Sequence, residues 1–459
     1  MPHSRSPGEL EEVFEVPAKV LEEGIELARE AEHAVVNKEP FKAAEEYWET
    51  LGPGLTTGAA DDDPSGIATY SQAGAQYGFG LIWLAAFTFP FMAIVQEMCA
   101  RIGLHTGEGL AANIRREYPV GVLYAVTGLL FFANVLNIAA DLGAMAAATR
   151  LLLPSASPLA LVMAFALLSL ALQIFTTYAR YARYLKYLTL ALLSYVVVAF
   201  SVQLDWGEVL YHTLIPSFDF SRGQVFLICA ILGTTISPYL FFWQSSQEVE
   251  EGVLHGEGSI KARKRETSWR TIRRMRTDVW SGMFFSNLVM FFIFAACAGT
   301  LFVNGTNDIV TADQAAQALR PFGSLAYFLF ALGIVGTGLL AVPVLAGSTA
   351  YAFAEAFKWR YGLYRKLNQA YAFYGVIIVA MVVGVAANLV HIDPIKALIY
   401  AAVVNGIIAP VVLYFVIRLS SDTRLMGDYA NGPWAATFGW FITILMALAG
   451  IAAIASFMI

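Results

Sequence analysis

Long apolar stretches recur along this chain, and short polar or charged segments separate them. A helix that crosses a membrane needs about 20 mostly apolar residues, because its backbone must satisfy its own hydrogen bonds within the hydrocarbon layer. The first stretch holds the end of one helix, a turn at 77–80 and a second helix, and a shorter stretch at 187–204 adds another. Charge-free runs lie at 64–96, 119–140, 151–179, 223–247, 279–307, 321–354, 367–390, 397–417 and 429–459. The pattern predicts an all-α membrane protein with eleven transmembrane helices.

The composition supports this interpretation and excludes a soluble protein. Of the 459 residues, 58% are hydrophobic and 14% are charged, whereas roughly a quarter of the residues in a soluble domain are charged. So few charged groups cannot cover the surface of soluble domains. We therefore expect an integral protein of an inner or plasma membrane.

The charges concentrate at the amino end and on one side of the predicted helices. Residues 1–50 hold thirteen Glu and five Lys or Arg. The basic start and apolar run of an export signal are missing, so we predict an acidic cytoplasmic tail. With that end inside, twenty of the other twenty-four Lys and Arg fall in cytoplasmic connections, as the positive-inside rule requires. The carboxyl terminus then lies outside, and the basic stretch at 261–276 faces anionic lipid, not nucleic acid.

Two of the predicted helices are interrupted at matching places. Residues 61–66 of the first read Asp-Asp-Asp-Pro-Ser-Gly, and residues 232–239 of the sixth read Leu-Gly-Thr-Thr-Ile-Ser-Pro-Tyr. Pro238 follows Pro64 by 174 residues. Interrupted helices in two halves indicate a transporter site in an inverted repeat, because unwound backbone frees carbonyl oxygens that can bind a cation. We therefore divide a transmembrane domain, 51–459, into repeat one (51–205), repeat two (222–418) and an eleventh helix (429–459).

Either interruption alone has a simpler explanation. The three acids could form a solvated turn that caps a helix at Pro64, and the sixth helix could merely kink, since proline is frequent in membrane helices. Together the two interruptions favour a site. Asn137, Asp141 and Asn405 inside other helices, and Gln244 after the second interruption, could line an ion pathway. The alternatives are a structural hydrogen bond for Asp141 and a solvated helix face for Gln244.

Specific motifs surround the first interruption and follow the second helix. They are Gly52-Pro53, Asp63-Pro64, Ala68-Thr69, the segment 72–78 (Gln-Ala-Gly-Ala-Gln-Tyr-Gly) and the segment 100–107 (Ala-Arg-Ile-Gly-Leu-His-Thr-Gly). In these motifs the chain resembles the NRAMP family of divalent-metal transporters. The resemblance implies a leucine-transporter-like fold, with two inverted repeats of five helices and one extra helix, across roughly residues 50–459.

The resemblance also implies the ion ligands. In the family the first interruption reads Asp-Pro-Gly-Asn and the second carries Met-Pro-His, and the ion binds to the Asp, Asn and Met side chains and to backbone carbonyls. Here Asp63 keeps the first ligand, and the carbonyls of Ala60 and Thr234 fall at the main-chain positions. The Asn position is Gly66, and the Met position is Ser237.

These differences favour a hard, hydrated ion. A thioether prefers softer transition metals, whereas carboxylate, hydroxyl and carbonyl oxygens suit magnesium, calcium or manganese. The missing side chain at Gly66 predicts a larger cavity, which would admit an ion that keeps its water, as magnesium does. Asp61 and Asp62 add outer-shell acceptors for those waters. The chain is thus similar to NRAMP-related magnesium transporters, and we predict transport of partly hydrated Mg²⁺, with Mn²⁺ as a second substrate.

We expect transport that is uncoupled from protons or only weakly coupled to them. The family's His position after the second interruption is Tyr239 here, which cannot titrate near neutrality as a histidine does. Gln244 occupies another place where the family often has His, and the family's Asp-x-x-Glu of the third helix survives only as Asp141. An inward-negative potential contributes about 2.3 kcal/mol per charge per 100 mV, so a dication can enter without a coupled proton.

Other functions stay open at this point. A proton-coupled Mn²⁺ or Fe²⁺ carrier tolerates Ser237, and a sodium-coupled amino-acid carrier could share the architecture. A magnesium-dependent intramembrane prenyl transferase is disfavoured, because its Asp-Asp-x-x-Asp spacing fails at Ser65. We expect no enzymatic activity and no cofactor, with the transported ion and membrane lipid as partners.

Overall fold

A computed structural model describes residues 52–176, 190–254, 256, 259–260, 267–390 and 392–458. Regular structure in these ranges is helical. The predicted tail at 1–50 and part of the basic stretch at 261–276 lie outside the described residues. The α-helices are α1 (Pro53–Asp61), α2 (Pro64–Tyr77), α3 (Trp83–Thr106), α4 (Leu110–Glu117), α5 (Val120–Leu152), α6 (Pro158–Phe175), α7 (Leu193–Ser201), α8 (Trp206–Leu214), α9 (Arg222–Thr235), α10 (Pro238–Leu254), α11 (Trp269–Cys297), α12 (Ala312–Ala316), α13 (Leu325–Phe357), α14 (Tyr371–Ala387), α15 (Pro394–Ser421), α16 (Thr423–Met426) and α17 (Pro433–Met458).

Within the described ranges, nine helices are long and apolar enough to cross a membrane, with α9 and α10 taken together as Arg222–Leu254. The segment from Leu190 to Ser201 and helix α8 would make a tenth span, but they bend by 118° at their junction. Helices α1 and α2 are not among the nine. The predicted all-α membrane class is confirmed, whereas the count of eleven helices is not.

Prolines and caps set where the helices begin. Pro64, Pro158 and Pro394 occupy first helical positions, where the missing amide hydrogen costs nothing. Ser157 and Asp393 accept hydrogen bonds from the first free amides of α6 and α15, which satisfies donors that have no partner inside the helix. The predicted run at 151–179 is therefore divided, because α5 ends at Leu152 and α6 begins only at Pro158.

Glycines bring the first half of each interrupted helix against another helix. A Cβ atom added to Gly58 of α1 would lie 2.4 Å from the carbonyl oxygen of Gly282 in α11. A Cβ atom added to Gly233 of α9 would lie 2.0 Å from the carbonyl oxygen of Ala402 in α15. Small residues allow such close helix contact in membranes. Both interruptions are thus held from one side by backbone packing.

Candidate functional site

The first interruption separates α1 from α2 and fixes the carboxylate of Asp63. Asp63 caps α2, and its Oδ1 accepts hydrogen bonds from the Gly66 amide at 2.7 Å and from Ser65 Oγ at 2.8 Å. Its side chain lies at the positive end of the helix dipole, which stabilises negative charge. Asp61, Asp62 and Asp63 are 0%, 7% and 1% exposed. The three acids are therefore buried, and the solvated turn that the sequence allowed is absent.

The second interruption separates α9 from α10, and the hydroxyl of Ser237 contacts its carbonyl oxygens. Pro238 begins α10 and has no amide hydrogen, so it leaves a carbonyl of α9 without its usual partner. Ser237 Oγ lies 2.8 Å from the carbonyl oxygens of both Gly233 and Thr234. Two of the predicted ligands, Ser237 Oγ and the Thr234 carbonyl, are thus hydrogen-bonded to each other.

The two interruptions meet through side-chain oxygens. Ser65 Oγ and Thr234 Oγ1 lie 3.2 Å apart, and Thr234 Oγ1 lies 3.5 Å from Asp63 Oδ1. Tyr239 Oη donates a hydrogen bond to the Ala60 carbonyl oxygen at 3.2 Å. The structure therefore brings all five predicted ligand positions into one cluster, together with Ser65 and Tyr239. We call this cluster the break chamber: Ala60, Asp63, Ser65, Gly66, Thr234, Ser237 and Tyr239.

Gly66 does not leave the open space that the sequence predicts. A Cβ atom there would lie 3.2 Å from the Tyr70 ring, 3.3 Å from Thr234 Oγ1 and 3.5 Å from Asp63 Oδ1. The Tyr70 ring and the Thr234 hydroxyl lie against the volume that a side chain at this position would fill. Gly66 instead contributes its amide hydrogen, which orients Asp63.

Ser286 of α11 joins the acids of the first interruption, and sequence reasoning missed it. Ser286 Oγ donates to Asp61 Oδ2 at 2.6 Å and lies 3.2 Å from Asp62 Oδ1. A single serine inside an apolar run carries no signal of its own. Ser286 follows Gly282 by four residues, so both lie on the same face of α11, and Gly282 contacts α1. This spacing is the one feature that relates Ser286 to the first interruption.

Asp141 of α5 adds a further buried carboxylate. It is 0% exposed, and its carboxyl group is within electrostatic range of that of Asp63. Both of its oxygens lack a hydrogen-bond partner among the described residues, so the structural hydrogen bond proposed as an alternative is not found there. In the described part of the chain, no Lys or Arg forms an ion pair with Asp61, Asp62, Asp63 or Asp141.

The remaining predicted pathway residues make local contacts. Asn137 Nδ2 donates to Asn405 Oδ1 at 3.0 Å, and Asn405 Nδ2 donates back to Asn137 Oδ1 at 3.3 Å. This reciprocal pair joins α5 to α15. Gln244 Nε2 donates to Glu248 Oε1 at 2.9 Å, and the side chain is buried, so it does not belong to a solvated helix face. Within the described ranges, the hydrogen bonds of these three side chains go to residues outside the break chamber.

A protein-family comparison decides the family of this chain. A family model described as "Natural resistance-associated macrophage protein-like", Nramp, matches residues 54–456. The chain belongs to the Nramp family. The resemblance predicted from the first interruption and the segment 100–107 is thus confirmed, and this Nramp protein is an integral membrane protein.

Curated Nramp relatives match most of the chain. A divalent metal cation transporter MntH from Klebsiella pneumoniae strain 342 is 27% identical over 409 residues, which cover 86% of this chain and 91% of that protein. An MntH from Klebsiella pneumoniae subsp. pneumoniae is 27% identical over 411 residues, with the same coverage. Both relatives are named as transporters, and the comparisons indicate no enzymatic family.

Solved structures share the fold at low sequence identity. The Eremococcus coleocola manganese transporter, in complex with an aromatic bis-isothiourea substituted compound, is 18% identical, with a TM-score of 0.68 over 92% of this chain and 90% of that one. Mhp1, a nucleobase-cation-symport-1 family transporter, is 15% identical, with a TM-score of 0.55 over 88% of this chain and 90% of that one. The predicted leucine-transporter-like architecture is confirmed.

Proposed function

We propose that this Nramp protein transports a divalent metal cation, and that the cation is partly hydrated Mg²⁺, with Mn²⁺ as a second substrate. The cation binds in the break chamber and crosses by alternating access. Asp63 supplies the charge, and the carbonyls of Ala60 and Thr234 and the hydroxyl of Ser237 supply neutral oxygens. Gly66 orients Asp63 through its amide.

The observation that carries this proposal is the chemistry of the groups that meet in the break chamber. A carboxylate, four hydroxyl-bearing side chains and the carbonyls beside them come together there. Hard oxygen ligands suit Mg²⁺, Ca²⁺ and Mn²⁺, whereas a thioether would favour softer metals. Ser237 stands where the family carries a methionine, so the preference should move toward harder ions.

We further propose that transport needs no coupled proton. Tyr239 replaces the family's histidine, and its hydroxyl donates to a carbonyl at 3.2 Å. A dication gains about 4.6 kcal/mol from a 100 mV inward-negative potential, twice the value for one charge. This driving force alone supports uptake.

A proton-coupled Mn²⁺ or Fe²⁺ carrier is the second candidate. The names of the relatives, divalent metal cation transporter and manganese transporter, agree with this candidate at least as well as with a magnesium transporter. Asp141, a buried carboxylate that lacks hydrogen-bond donors among the described residues, could carry the proton. Under this alternative, Mn²⁺ uptake is unaffected by a large excess of Mg²⁺.

The test is metal uptake into liposomes that contain the purified full-length protein. Mg²⁺, Mn²⁺ and Ca²⁺ are offered in parallel under an inward-negative potential, and a pH-sensitive dye is enclosed in the lumen. The proposal expects Mg²⁺ uptake without acidification, with Mn²⁺ competing. Uptake of Mn²⁺ alone, with lumenal acidification, would establish the proton-coupled carrier instead.

A further inference from the structure

The hydroxyl of Ser286 is shared between two acids of the first interruption. It lies 2.6 Å from Asp61 Oδ2 and 3.2 Å from Asp62 Oδ1. A hydroxyl has a single proton to donate, so it serves one of these oxygens at a time. Two neighbouring carboxyl groups therefore share one donor, and this donor comes from another span.

Further carboxylate oxygens around the break chamber have no donor. Asp61 Oδ1 and both oxygens of Asp141 are buried and unpartnered within the described ranges. Asp141 belongs to α5, so this observation is independent of the acids of the first interruption, and its carboxyl group is within electrostatic range of that of Asp63. Burying a carboxylate without a donor or a positive partner is costly. The arrangement fits a guest that is positive and donates hydrogen bonds.

A hydrated dication has both properties. A water molecule bound to a cation turns its oxygen toward the metal, so its hydrogens point outward and it acts as a donor. Mg²⁺ loses its water reluctantly and keeps several waters when it binds to protein. A stripped ion would contact only a few oxygens and would leave the other acceptors without donors.

We infer that Ser286 is a positioning residue for magnesium selectivity. It holds Asp61 and Asp62 where their oxygens accept hydrogen bonds from the waters of the ion bound beside Asp63. The inference rests on the proposed function, because it assigns the outer acceptors of the same ion. It adds a determinant from α11, outside both interrupted helices.

The test compares Ser286→Ala, Ser286→Thr and the wild type in the liposome assay, with concentration series of Mg²⁺ and Mn²⁺. Loss of a hydrogen bond to a charged group weakens the apparent Mg²⁺ affinity by about tenfold. The Mn²⁺ affinity falls less, so the Mg²⁺ to Mn²⁺ preference drops severalfold, and Thr restores it. Thr277→Ala removes an exposed hydroxyl of α11 that bonds to the Arg273 carbonyl, and it leaves both affinities unchanged.

Asp61→Asn provides a second variant that keeps the shape of the side chain. This variant should also lower the preference for Mg²⁺ over Mn²⁺. If size-exclusion profiles show that Ser286→Ala does not fold, Asp61→Asn tests the inference in its place. A preference equal to that of the wild type in the folded variants overturns the inference, whether or not the total flux falls. A wild type that moves Mn²⁺ but no Mg²⁺ overturns the proposed function itself, before any variant is considered.

Discussion

The two interrupted helices solve the same backbone problem with different chemistry. The first exposes its free amides to a carboxylate, and Asp63 accepts from Gly66 and Ser65. The second interruption leaves carbonyl oxygens without amide partners, and the hydroxyl of Ser237 lies within hydrogen-bond distance of two of them, those of Gly233 and Thr234. The amide end of a helix attracts negative charge, whereas the carbonyl end offers neutral oxygens that can turn to a cation. Under the proposed function, the first interruption therefore supplies the charge for the ion, and the second supplies neutral oxygens that can adapt to it.

The largest expected effect follows from removing the charge of the first interruption. Asp63→Asn can still accept from Gly66 and Ser65, so the fold is retained. The buried ion loses its charged partner, and the apparent Mg²⁺ affinity should fall by at least about a hundredfold. Liposome flux and titration calorimetry measure this loss. Asp428→Asn, at an exposed turn, is the control, and normal transport by Asp63→Asn would show that the charge lies elsewhere.

The glycine contacts test whether both interruptions depend on close backbone packing. Gly58→Ala and Gly233→Ala place a Cβ atom 2.4 Å and 2.0 Å from a carbonyl oxygen of the neighbouring helix. Such overpacking should lower the free energy of unfolding by about 1–3 kcal/mol. Thermal unfolding in detergent measures this loss of stability. Gly128→Ala is the control, because nothing lies within 4 Å of its added Cβ atom. Equal stability of all three variants would mean that the contacts are dispensable.

Under the proposed function, the neutral oxygens of the second interruption determine whether the site prefers hard or soft metal ions. Ser237→Met should shift the preference toward Mn²⁺ and Cd²⁺ by about tenfold, or 1.4 kcal/mol, because a thioether favours softer metals. Competition between Mg²⁺ and Cd²⁺ uptake measures the shift. Ser237→Ala separates the gain of sulfur from the loss of the hydroxyl. If Met and Ala give the same preference, the residue does not face the ion.

The smallest effect concerns one of the direct contacts between the interruptions, the hydrogen bond from Tyr239 to Ala60. Tyr239→Phe removes the hydrogen bond to the Ala60 carbonyl, which should cost about 0.5–1.5 kcal/mol of unfolding free energy. Thermal unfolding detects the change, and Tyr400→Phe, at a side chain that is 47% exposed, serves as the control. A Phe variant as stable as the wild type would show that the contact contributes nothing to holding the interruptions together.

The sequence predicted the interruptions well because their causes are local. Proline removes an amide donor wherever it stands, and α2 and α10 do begin at Pro64 and Pro238. The sequence also predicted a membrane protein, since an apolar run of about 20 residues is typical of a helix that crosses a membrane. The helix bounds were less accurate, because the cap at Ser157 and the turn before it are small local signals.

The contacts across the chamber could not be predicted from the sequence. Gly66 lacks a side chain, but no open space results, because its neighbours Tyr70 and Thr234 lie close to it. The sequence does not show which residues become these neighbours. The pairing of Asn137 with Asn405 joins residues 268 apart in the chain, and no periodicity encodes it. Ser286 escaped notice for the same reason.

The sequence by itself determined that the chain is a helical membrane protein with two interrupted helices, because hydrophobic length and proline act through the bonds of their own segment. The tertiary structure decided which oxygens face one another. It buried three consecutive acids, placed Ser286 beside two of them and linked Tyr239 to Ala60. These relations depend on helix packing across more than a hundred residues, and only the folded chain brings such distant groups within reach.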